Sequence, residues 1–165
     1  MKVYKFGGAS VKDASGVRNL KEIVACAGDD LMIVISAMGK TTNALERVVA
    51  ALAQKDEATA DNEWLAVLDY HVHLAMELGL KPNEDIRFPM MPEYDHTCSY
   101  DQNYDQIVSQ GEILSTQIVA VYLLKSGIRT EWWNMPKLLR TDNTFREAQV
   151  DMQTAAQVIR AGWER

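Results

Sequence analysis

Lys5, Gly7, Gly8 and Ser10 fall within one short stretch, "KFGGAS" at residues 5–10, directly after the apolar Val3 and Tyr4. An ammonium, two residues without a Cβ and a hydroxyl make a set suited to cradling a small anion. Glycines at a strand-to-helix turn admit backbone conformations and close approaches that a Cβ would block. The N–H groups of such a turn and of the helix start behind it favour negative charge. Lys5 adds a mobile positive charge, and Phe6 carries the strand into the turn. The plain alternative is a tight turn capped by Ser10 with Lys5 in solvent. Both readings stay open on this stretch alone.

Two more stretches could join it. "SAMGKTTN" at 36–43 contains Gly-Lys-Thr, but the phosphate-loop pattern needs a glycine five residues before Gly39, where Val34 stands. What remains is a second strand-to-helix turn, with Ser36 at its entry and Thr41, Thr42 and Asn43 as ordinary N-cap candidates. "SQGEILST" at 109–116 places Glu112 and Ser115 three apart, hence on one helix face. Gly111 costs a helix interior roughly 1 kcal/mol relative to Ala, so it signals close packing or a close ligand. His71 and His73 are two apart on a helix and face different ways, so they are not expected to share a metal. No metal-ligand set is expected.

These stretches need elements to position them. Residues 2–6 read as a strand. From 13 to 27, Val17, Leu20, Ile23, Val24 and Ala27 recur at helical spacing. "LMIVIS" at 31–36 is a continuous apolar run, the pattern of a strand buried on both faces of a parallel sheet. Helices are expected from about 43 to 54, over 62–79, from about 104 to 126 and over 152–164. "IRTEWW" at 128–133 reads as a third strand, with one of Trp132 and Trp133 in the core. The alternation defines an α/β fold with a mainly parallel sheet flanked by helices. Ligands of such sheets bind outside the carboxyl ends of the strands, where the two turns fall.

The bulk numbers agree. The 165 residues are 47% apolar with a formal net charge of -6, enough for a core and without a basic patch. A nucleic-acid partner is therefore not expected. No secretory signal is read, and no apolar run is read as approaching the roughly 20 residues that span a bilayer, so a cytoplasmic protein without membrane contact is expected. Cys26 and Cys98 lie far apart and read as thiols rather than a disulfide.

Taken together, "KFGGAS", "VISAMGKTTN" at 34–43, "IVSQGEILST" at 107–116 and "LLRTDNTFREAQVD" at 138–151 resemble the N-terminal part of the aspartate kinases, members of the amino acid kinase superfamily. The order and spacing match over nearly the whole chain. The resemblance implies ATP-dependent phosphorylation of the β-carboxylate of L-aspartate, on the route to lysine, threonine and methionine, with Mg²⁺ bound alongside ATP. It implies that Lys5 neutralises charge on the transferring phosphoryl group. Phe6, Gly7, Gly8 and Ser10 would lie around that group, with Ser36 near the phosphate path. Thr42 and Glu112 would bind aspartate, Glu112 receiving its α-amino group. The sequence departs from the family at Ala9, usually Thr or Ser, and at Asn134–Pro136, where the family has Asp-x-Arg. The resemblance also implies that residues 1–165 are the aspartate-binding half of the kinase domain. The nucleotide-binding half and regulatory domains would lie elsewhere, and the isolated chain would be inactive. A homo-oligomer is expected of the full-length protein. Kept beside this are another amino acid kinase with a different carboxylate acceptor, and a non-catalytic anion-binding or assembly module.

Overall fold

The computed structural model describes residues 1–28 and 30–163. The chain opens with strand β1 (Lys2–Phe6), a 3₁₀ turn (Gly8–Val11) and helix α1 (Ala14–Ala25). Strand β2 (Leu31–Ile35) and helix α2 (Thr41–Ala53) repeat the pattern. Helices α3 (Glu57–Glu77), α4 (Tyr100–Val108), α5 (Gln110–Lys125), the short α6 (Met135–Leu138) and α7 (Met152–Trp163) follow. β1 and β2 pair in parallel, with Lys5 opposite Val34 and Phe6 opposite Ile35. The α/β class and the parallel pairing expected from the alternation are present.

Local chemistry sets the helix starts. Asp13 accepts from the Gly16 N–H at 2.8 Å and opens α1. Asp56 caps α3 through the Thr59 N–H at 3.1 Å, so this helix starts at Glu57 rather than at residue 62. Ser99 caps α4 through the Gln102 N–H at 3.1 Å.

The apolar faces build two cores. One joins α1, β2, the C-terminal end of α3 and α5 around Val17, Leu20, Met38, Leu74, Ile118 and Leu123. The other joins α2, the N-terminal part of α3 and α4 around Leu45, Val48, Trp64 and Ile107. Full burial of one such side chain stabilises the fold by about 1.5–3 kcal/mol.

Three expectations are corrected. The helix read from 104 to 126 starts at Tyr100 and is two helices, divided at Ser109. Read through that division, Tyr100–Lys125 is 26 residues, long and apolar enough by length and composition to cross a membrane, contrary to the reading of no such run. Gly111, Leu114, Ser115, Ile118, Val119 and Leu123 on it are buried within the fold. Residues 128–133 form no strand among the described residues. They are held by side chains instead: the Trp132 Nε1–H donates to Thr116 Oγ1 on α5 at 3.0 Å. The strand alternation expected to bury one tryptophan is therefore absent; Trp132 is exposed and Trp133 half-buried. Cys26 and Cys98 are both free thiols, Cys26 exposed.

Candidate functional site

The carboxyl ends of β1 and β2 run into two turns that are bonded to each other. The Ser36 N–H donates to Phe6 O at 3.1 Å, and the Gly39 N–H donates to Gly8 O at 3.0 Å. A Cβ on Gly8 would stand 2.3 Å from Ala37 O, so this glycine is required by the approach of the second turn. Gly7 differs. Its backbone is extended, with φ -74°, and a Cβ there would meet nothing within 4 Å. The expectation that both glycines are needed for the turn's conformation or packing is therefore met by Gly8 alone. Gly7 lines open space.

Helix α5 closes the arrangement from below. The buried Ser115 hydroxyl accepts from the Met38 N–H at 2.8 Å and donates to Gly111 O at 2.7 Å. Glu112 Oε1 accepts from the Ala37 N–H at 3.4 Å, a long contact from an exposed carboxylate. Gly111 lets the helix come this near: a Cβ would sit 3.0 Å from Thr41 Cγ2 and 3.1 Å from Ala37 Cβ. The glycine in the helix is thus a packing glycine, and the second turn rests on α5 where the two cores meet.

The side chains above this frame differ in their ties. Thr41 is buried, its hydroxyl donating to Met38 O at 2.6 Å. It is a structural brace rather than a free group, and Lys40 takes the N-cap position without a side-chain bond. Thr42, half-buried at the start of α2, makes no side-chain hydrogen bond among the described residues. Lys5 is exposed at the end of β1 and likewise makes no hydrogen bond or ion pair among them. Ser10 is exposed on the 3₁₀ turn, where its N–H donates to Gly7 O at 2.9 Å. The structure thus brings Phe6, Gly8, Ser36 and Glu112 into one bonded cluster, with Lys5, Gly7, Ser10 and Thr42 attached to it through the chain.

One contributor, Tyr70, carried no readable signal; it packs on Gly39, which the sequence already set in the second turn. Gly39 has φ 57°, and a Cβ on it would meet the Tyr70 hydroxyl at 2.9 Å. That hydroxyl donates to Lys12 O at 2.5 Å, bracing both turns from α3. Burial, with Asp13 nearby, holds the Tyr70 phenol above its ordinary pKa. Nothing in the spacing of residue 70 relates it to residues 12 and 39. Among the described residues, no group of three or more His, Cys, Asp or Glu is placed to hold a metal ion.

Cross-bonded turns at the carboxyl ends of adjacent parallel strands put the protein in the α/β class; the N–H groups of Ser36, Ala37, Met38 and Gly39 are all taken up within the protein, so the second turn is not the N–H-rich cradle expected from its sequence. The chain belongs to the amino acid kinase family, which it matches over residues 1–162. It is 27% identical over 164 residues to the lysine-sensitive aspartokinase 3 of Escherichia coli, covering 94% of this chain and 36% of that protein. It is 29% identical over 148 residues to the chloroplastic aspartokinase 1 of Arabidopsis thaliana, covering 80% of this chain and 25% of that protein. The fold superposes on the crystal structure of E. coli aspartokinase III in complex with aspartate and ADP with a TM-score of 0.79, at 21% identity, over 99% of this chain and 37% of that one. The chain therefore spans about a quarter to a third of the length of these relatives.

Proposed function

We propose that this chain carries the acceptor side of an aspartate kinase, and that residues 1–165 supply the aspartate-binding part of a larger catalytic domain. The observation that carries the reading is the direct bonding of both turns and α5. Gly39 N–H to Gly8 O and Ala37 N–H to Glu112 tie the end of the Lys5 strand, the start of the Thr42 helix and the α5 carboxylate around one edge. The aspartokinase relatives and the likeness to a structure holding aspartate and ADP support the choice of acceptor.

In this reading Glu112 receives the α-amino group of aspartate and Thr42 donates to one of its carboxylates. A β-carboxylate oxygen attacks the γ-phosphorus of ATP, the bond to the bridging oxygen breaks, and ADP leaves. Lys5 neutralises charge on the transferring group, while the turn at Phe6–Gly8, Ser10 and Ser36 lines its path. Such transfers rest on positioning and charge neutralisation rather than on covalent help from the protein. In this reading Mg²⁺ is bound with the phosphates of the nucleotide.

Titration calorimetry of the 165-residue chain tests the reading. L-aspartate is expected to bind and L-glutamate to bind at least about tenfold more weakly, a difference of about 1.4 kcal/mol. Equal binding of both moves the acceptor elsewhere in the family, and no heat with either removes the acceptor-site reading. With ATP and aspartate, hydroxylamine trapping of acyl phosphate is expected to stay at background for this chain alone.

A further inference from the structure

Arg146 lies within the 138–151 stretch but was given no role there, yet several contacts converge on it. Its backbone takes φ 66°, a region that glycine enters freely and an arginine does not. The Arg146 N–H donates to Asp105 Oδ2 at 2.9 Å, its guanidinium carbon lies 4.2 Å from the Tyr104 ring centroid, and Nη1 stands 3.6 Å from Asp101 Oδ1. Asp101, Tyr104 and Asp105 share one face of α4. From there the Tyr104 hydroxyl donates to Glu46 Oε1 on α2 at 2.6 Å, and Glu46 lies one helical turn beyond Thr42 on the same face. On its other side Arg146 belongs to a hairpin. Thr141 bridges Val150 in antiparallel fashion, and the Asp142 N–H donates to Gln149 O at 3.1 Å. Asp142 Oδ1 accepts from the Thr144 N–H at 3.0 Å and the Gln149 N–H at 3.2 Å.

We propose that Arg146 is a positioning residue: through Tyr104 and Glu46 it pins the 141–150 hairpin to α4 and to the helix start that carries Thr42. Its effect on the acceptor rests on the acceptor-site reading above. An exposed ion pair or a cation–π contact alone does little. Here the backbone donor, the stacked guanidinium and the phenol act in series, linking a hairpin to two helices.

Arg146→Gly removes the guanidinium contacts to Tyr104 and Asp101 while suiting the backbone and keeping the N–H bond to Asp105, and Tyr104→Phe keeps the stacking ring but cuts the bond to Glu46. Hydrogen exchange of the 141–150 amides reads the clamp without any ligand, and calorimetry with L-aspartate reads what it positions. In Arg146→Gly the hairpin amides are expected to exchange faster and aspartate to bind about fivefold more weakly, with the thermal midpoint unchanged. Tyr104→Phe is expected to keep the hairpin protected and still weaken aspartate. Unaltered exchange in Arg146→Gly overturns the clamp, and unaltered aspartate affinity in both variants overturns the positioning role. A wild-type chain that takes no aspartate refutes the acceptor-site reading instead, and the exchange comparison then decides the clamp by itself.

Discussion

Gly7 and Gly8 are adjacent in the sequence but answer to different constraints. At Gly8 the Ala37 carbonyl occupies the place a Cβ would take, whereas Gly7 faces open space with an ordinary φ. Gly8→Ala is therefore expected to destabilise the fold by about 2 kcal/mol, since the second turn must move to admit a methyl group. Gly7→Ala is expected to leave stability within about 0.5 kcal/mol. Urea denaturation of the two variants side by side checks the contrast; equal losses would mean that the two glycines share one structural role. If Gly7→Ala keeps its stability but weakens aspartate or nucleotide binding, the open space beside residue 7 is ligand space.

Helix α5 shows how a buried hydroxyl can govern a distant turn. Ser115 is fully buried and accepts from the Met38 N–H, so Ser115→Ala leaves that amide without its partner. A loss of about 1–3 kcal/mol is expected, read from the denaturation midpoint. Ser115→Thr, which keeps the hydroxyl, serves as the control for the bond itself. The same helix shows what was legible in the sequence. The Glu112–Ser115 spacing and the anomalous Gly111 announced a closely packed face, and Gly111 and Ser115 pack against the second turn. β1, β2 and their turns were legible because short apolar stretches end on glycine-bearing turns; β2 is nevertheless not buried on both faces as its continuous apolar run predicts, since Leu31, Met32 and Ile33 are half-buried and Val34 is exposed, with β1 its one partner among the described residues. Residues 128–133 were misread because β-branched and aromatic residues suit a strand only where a partner strand lies alongside. Trp132 finds Thr116 on a helix instead. The break at Ser109 was hidden because no Gly or Pro marks it. The part played by Tyr70 was hidden because it depends on tertiary contact alone.

At the scale of the whole molecule, stability should depend on pH through His71. Its ring is fully buried on α3, Nδ1 pairs with Val67 O at 2.7 Å, and Nε2 has no hydrogen-bond partner among the described residues. Burial holds its pKa below the ordinary 6.5, with only partial opposition from the Val67 bond. The unfolded chain therefore binds the extra proton more readily than the folded one. Stability is unaffected by this group above pH 6.5 and falls as the pH drops below that value toward the lowered folded pKa. Urea midpoints measured from about pH 8 to pH 5 are expected to decline at the acid end, and His71→Gln is expected to flatten that part of the decline. The cross-bonding of the two turns has a consequence for transplantation. Because Gly8 O holds Gly39 N–H and Ala37 O fills the space at Gly8, neither loop has a shape of its own to export. Grafted singly into another scaffold, either would lose the partner that moulds it; the smallest portable unit is both loops together with the α5 segment that carries Gly111 and Ser115.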